Sequence, residues 1–106
     1  MQDRELLELA AKAAGYQIEW VRNSGCYYRC EEEVGREQWD PLADDGDALR
    51  LAVKLAIEIS PCPEHDSVLC EPKGNPNSII TTEALDEYGT RRAIVRAAAE
   101  IGRAMK

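Results

Sequence analysis

Four cysteines and a single histidine are the side chains here that could ligate a soft metal or pair as nucleophile and base. They stand at Cys26, Cys30, Cys62, His65 and Cys70. A structural zinc site wants paired ligands on a tight turn, usually Cys-x₂₋₄-Cys. Cys26 and Cys30 meet that spacing nominally, but both fall in the extended run Cys26-Tyr-Tyr-Arg-Cys30. Extended chain rises ~3.3 Å per residue, which holds the two thiols ~13 Å apart. The Cys62–Cys70 spacing matches no familiar site. The expectation is therefore four free, buried thiols, with no metal and no cofactor. His65 sits in a proline-rich acidic loop and reads as exposed. Cys62 and Cys70 lie near it in sequence, with Glu64 and Asp66 as orienting carboxylates, so a cysteine-dependent enzyme stays as the lesser alternative.

Three other groups of residues invite a chemical reading. Asp40, Asp44, Asp45 and Asp47 resemble the start of a calcium loop, which needs oxygens at positions 1, 3 and 5 and glycine at 6. Counting from Asp40, position 3 is Leu42 and the glycine falls at 7. The pattern fails, and helix capping is the expected role. Arg92, Arg96 and Arg103 recur at close to whole helical turns, so they form a stripe that could hold phosphate or an acidic partner. A solvated outer helix face, paired with the protein's own carboxylates, is the plainer reading. Trp39 reads as a plug for one end of the core, with a ligand-stacking platform as the sharper alternative. Trp39, Arg92, Arg96 and Arg103 are thus the candidate binding residues; no residue is assigned a catalytic role. Gly-x-Ser-x-Gly, a phosphate-binding glycine loop and His-Glu-x-x-His are all absent from the sequence.

The elements that must position these residues follow from periodicity. Arg4 to Ala14 is built of strong helix formers with Leu6, Leu9 or Ala10, Ala13 and Ala14 at helical spacing. Asp3 complements its dipole and Gly15 suits the left-handed residue that ends it. Tyr16 to Arg22 alternates as a half-buried strand, Asn23-Ser24-Gly25 supplies a turn, and Cys26 to Cys30 completes a hairpin. The like charges of Glu31, Glu32 and Glu33 end it. Gly35 to Asp47 reads as a connection anchored by Trp39. A second helix is expected from about Ala48 to Ala56, with Leu49, Ala52, Val53 and Ala56 facing the core and Leu51 and Leu55 widening that face. Ile57 to Ser60, Ser67 to Glu71 and Ser78 to Thr82 are short strands in a stretch rich in proline. A last helix runs from Asp86 or Thr90 to Ala104, packed through Ile94, Ala97, Ala98, Ile101 and Met105. The fold class is α+β: a small antiparallel sheet of three to five strands with three helices, in the order α-β-β-α-β-β-α.

Composition bounds the rest. The 106 residues suit one domain, taken as 1–106, and 44% apolar content builds a single core. Twenty acidic residues against thirteen basic give a net charge of −7, which repels nucleic acid and offers nothing to an anionic membrane. Asp3, Glu5 and Glu8 stand where a secretory signal would carry its basic and apolar regions. Leu49–Ile59 and Ala93–Ile101 are interrupted by charges and cannot cross a bilayer, which takes about 20 apolar residues. A cytoplasmic address is the default expectation.

Two blocks, Trp39-Asp-Pro-Leu-Ala-Asp-Asp-Gly-Asp-Ala-Leu-Arg-Leu-Ala-Val-Lys-Leu55 and Thr90-Arg-Arg-Ala-Ile-Val-Arg-Ala-Ala-Ala-Glu-Ile-Gly102, resemble the phage αβα (ABA) sandwich domain, a group of small phage and prophage proteins. The opening Glu5-Leu-Leu-Glu-Leu-Ala-Ala-Lys-Ala-Ala-Gly15 is similar too, whereas Pro61 to Leu85 matches no part of it. The resemblance implies a sheet between helical layers, a phage or prophage gene, and action in the cytoplasm of the host bacterium. It carries no activity onto any residue. The expected function is a non-enzymatic accessory protein that binds a host or phage protein, as a monomer or homodimer. The alternative is a small-ligand or nucleotide-binding module built on Trp39 and the arginine stripe.

Overall fold

A computed structural model describes residues 2–31 and 35–105. The first helix, α1 (Asp3–Ala14), ends on Gly15 at φ +75°, the left-handed cap expected of it. Three antiparallel strands follow, β1 (Ile18–Val21), β2 (Cys26–Glu31) and β3 (Gly35–Trp39), paired in the order β1-β2-β3. The second helix, α2 (Asp45–Lys54), starts where the Asp44 carboxylate accepts the Asp47 N–H at 2.8 Å. A second antiparallel sheet then forms from β4 (Ile57–Cys62), β5 (Ser67–Pro72) and β6 (Thr81–Ala84) in the order β4-β5-β6, with a 3₁₀ turn at Pro63–His65. The chain closes with α3 (Glu87–Ala104), capped by Asp86 through the Gly89 N–H at 2.6 Å.

The α+β class expected from the sequence is the class observed. The order is α-β-β-β-α-β-β-β-α, with two three-stranded sheets among the described residues instead of one sheet of three to five strands. The unexpected strand is β3, whose Gly-Arg-Glu-Gln run is exposed and is held by pairing with β2 rather than by burial. Helix α2 begins three residues earlier than expected and β6 three residues later. Glu32 and Glu33, read as ending the first hairpin, lie outside the described residues, and Glu31 still belongs to β2.

Helix α3 is the centre of the molecule. It packs against α1, α2, β5 and β6, which brings both other helices and the second sheet onto one element. Its buried residues are small: Gly89, Ala93, Ala97, Ala98, Ala99 and Gly102, with Ile94 and Val95 as the larger side chains. Met105, expected in the packing stripe, is exposed just past the helix end. Small side chains let backbones approach: a Cβ on Gly102 would lie 2.0 Å from the Leu9 carbonyl oxygen, and one on Gly89 2.0 Å from that of Ala84. Buried Thr81 donates its hydroxyl to the Ala93 carbonyl at 2.7 Å, which ties β6 to the same helix.

Candidate functional site

The structure disperses the residues that sequence reading singled out. Cys26 and Cys30 share strand β2, while Cys62 and Cys70 stand in the other sheet, opposite Ser67 and Ile59. All four are free thiols, but only Cys70 is fully buried; the other three are half-buried. Burial pushes the Cys70 thiol up to about 11, away from nucleophilic reactivity. His65 is exposed in the 3₁₀ turn. Among the described residues, no group of three or more His, Cys, Asp or Glu side chains is placed to hold a metal ion.

Three of the four aspartates, Asp40, Asp44 and Asp47, are occupied with backbone, and Asp45 pairs with Arg91. Asp47 accepts the Asp40 N–H at 3.0 Å and Asp40 accepts the Leu42 N–H at 3.1 Å. Together with the Asp44 cap they fix the turn that leads from β3 into α2. Burial raises the Asp40 carboxyl above its ordinary value despite these hydrogen bonds.

The arginine stripe serves the scaffold. Arg92 bonds Asp3 at 3.1 Å and lies 3.9 Å from Glu83. Arg96 bonds the same Glu83 at 2.5 Å and the Thr82 carbonyl at 3.2 Å. Arg103 pairs with Glu100 on its own helix at 3.7 Å. Two of the three guanidiniums therefore clamp β6 and the start of α1 onto α3. Trp39 is 2% exposed, edge-on to Tyr16 at 5.9 Å, and plugs the core. Its distance in role from the arginines is complete: no face of the indole is open for a ligand.

One concavity does carry an aromatic wall. A cleft of about 320 Å³ is lined by Arg4, Trp20, Tyr27, Asp40 and Tyr88 among others. The Arg4 guanidinium covers the Trp20 ring at 4.0 Å, and the Tyr27 hydroxyl donates to Glu8. Burial and Glu8 together raise the Tyr27 phenol above its ordinary value. The stacking surface is thus taken by the protein's own cation.

A different groove, of about 440 Å³, opens between α2, α3 and β4. Its apolar wall is Leu49 from α2, Ile59 from β4 and Leu85 just before α3, over a floor that includes Ala48 and Ile94. Leu49 is 59% exposed, Leu85 38% and Ile59 37%. The rim is polar: Asp45, Asp86, Glu87, Thr90 and Arg91. Arg91 holds the α2 side of the rim in place, bonding the Leu42 carbonyl at 2.9 Å and Asp45 at 2.6 Å. Val53, one turn beyond Leu49 on α2, is 74% exposed and continues the apolar face.

Comparison with known proteins adds no relative. No family model, curated protein or solved structure matches this chain.

The groove is the feature that sequence reading missed, and α2 shows why. The expected core face of that helix included Leu49 and Val53; the buried residues are Ala48, Leu51 and Ala52. Helix α2 carries apolar side chains round more than one face, and that surplus was the available signal. Leu49 and Val53, expected to face the core, stand in solvent at 59% and 74% exposure. Ile59 and Leu85 carry no comparable signal, because only the tertiary fold brings them beside Leu49.

Proposed function

We propose that this chain is a non-enzymatic interaction module, and that the groove between α2, α3 and β4 receives part of a partner protein. The observation that supports this reading is the exposure of Leu49, Ile59 and Leu85 around one concavity, on a surface whose other candidate side chains are engaged internally. Contiguous exposed apolar surface rimmed by polar groups marks interaction sites in soluble proteins. The resemblance to the phage ABA sandwich domain supports a phage or prophage accessory protein, with a host or phage protein as the partner and the host cytoplasm as the place of action. Among the described residues no helix is long and apolar enough to cross a membrane.

Paired capture experiments from infected-cell lysate test the proposal. Wild-type bait is compared with Leu49→Asp, a substitution at an exposed position that places a charge in the groove without touching the core. A protein retained by the wild type and lost by the variant is the expected result. Equal retention by both baits, or bare baits at low and moderate salt, would contradict it.

A further inference from the structure

We infer that the groove's occupant is a cationic amphipathic protein segment, one that presents aliphatic anchors flanked by lysine or arginine. This rests on the groove being a docking site, and adds the chemistry of what docks. The apolar wall of Leu49, Ile59 and Leu85 calls for aliphatic side chains. The sign of the rim decides what must flank them. Asp45, Asp86 and Glu87 face a single cation, Arg91, which is already committed to Asp45 and the Leu42 carbonyl. Asp86 uses one carboxylate oxygen to cap α3, and Glu87 lies exposed in the first turn of that helix. The local excess of negative charge repeats the excess of the whole chain, −7.

That sign separates the possible occupants. A second copy brings another −7 against an already acidic rim, and nucleic acid and anionic lipid bring polyanionic surfaces. A basic segment is drawn in by the long-range field and then held by apolar contact, the usual division between association rate and affinity. Like-charge juxtaposition at the rim turns acidic segments away.

Three peptides of equal length, about 14 residues, test this against the isotope-labelled full chain at ~0.15 M ionic strength, where screening acts beyond ~8 Å. One is a leucine–lysine amphipath, the second a leucine–glutamate amphipath, the third a glycine–lysine chain without anchors. The expected result is that the leucine–lysine peptide shifts the amide signals of Leu49, Ile59 and Leu85. It should bind at least about tenfold more tightly than either of the others. Glu87→Lys should narrow its advantage over the leucine–glutamate peptide. Equal binding of the two leucine peptides at the groove overturns the charge inference and leaves the docking site standing. Failure of both leucine peptides to move the groove signals overturns the docking site itself. Equal binding of the glycine–lysine peptide, with shifts scattered over the surface, reduces the effect to bulk charge and overturns the inference. So does a concentration-dependent dimer that Leu49→Asp abolishes, since the occupant is then a second copy.

Discussion

Replacing Gly102 by alanine adds one methyl group to the close contact between α3 and α1. The new Cβ would sit 2.0 Å from the Leu9 carbonyl oxygen and 2.8 Å from its carbon, whereas real Cβ contacts essentially never fall below 3.0 Å. The neighbour is helix backbone, so no side chain can rotate away, and α1 must move about 1 Å off α3. Overpacking of this kind typically costs ~1–3 kcal/mol, and the bodily displacement of a helix places this case at the upper end. Alanine returns ~1 kcal/mol through its helix propensity, leaving a net loss of about 2 kcal/mol. In a domain of this size that lowers Tm by roughly 8–16 °C. Gly46→Ala in α2 is the matched control, because its Cβ would meet only the ends of the Arg50 and Asp44 side chains at 3.2 Å. Thermal unfolding followed by circular dichroism should therefore place Gly46→Ala at or above the wild type and Gly102→Ala well below it. Equal midpoints for the two variants would refute the close approach of α1 and α3.

Other expectations follow from the same structure. An aromatic disulfide reagent should titrate Cys26, Cys30 and Cys62 in the native protein and reach Cys70 only on unfolding, because that thiol is fully buried and raised to about 11; four equally fast thiols would contradict this. Asp40 keeps its proton to a higher pH when folded than when unfolded, so its contribution to stability is present below its ordinary 3.8 and is lost as pH rises through the raised value. Asp40→Asn cannot ionise and still offers an oxygen to the Leu42 N–H, so its stability relative to wild type should rise from about pH 3 to neutrality in urea titrations. A difference that does not change with pH would be the contrary result. Ala56, which follows the Leu55 cap of α2, is held at φ +53°, the left-handed conformation that glycine adopts without penalty. Ala56→Gly should gain up to ~1 kcal/mol once the greater freedom of the unfolded chain is subtracted, and a lower Tm would show that the site tolerates alanine without strain.

Legibility in the sequence followed the strength of local signals. Helix α1 declared itself through strong helix formers and Gly15, and α3 through its alanine spacing; both lie where periodicity put them, apart from the end of the Met105 stripe. The first hairpin was legible because Tyr16, Ile18 and Trp20 alternate and Asn23-Ser24-Gly25 can turn. Strand β3 was not, since Arg36, Glu37 and Gln38 show no buried face and become a strand only because β2 offers an unpaired edge. The pair Ile79-Ile80 drew the expected β6 three residues too early. In fact Ile79 is buried and Ile80 exposed outside the strand, and polar Thr81 enters the core because Ala93 supplies its hydrogen-bond partner. The arginine stripe was correctly spaced, but Glu83, which engages Arg92 and Arg96, comes from a strand that helical spacing cannot see. The groove was the least legible feature of all, because its wall is assembled from residues 49, 59 and 85.

The most direct measurement places a photoactivatable cross-linking residue at Leu49, in the groove, and separately at Lys12, against Met105 at the far end of α3. Irradiated in cells that express it, the protein labelled at position 49 should give a discrete adduct with a basic protein that position 12 does not give. Adducts of equal yield from both positions, or from position 12 alone, would contradict a docking site between α2, α3 and β4.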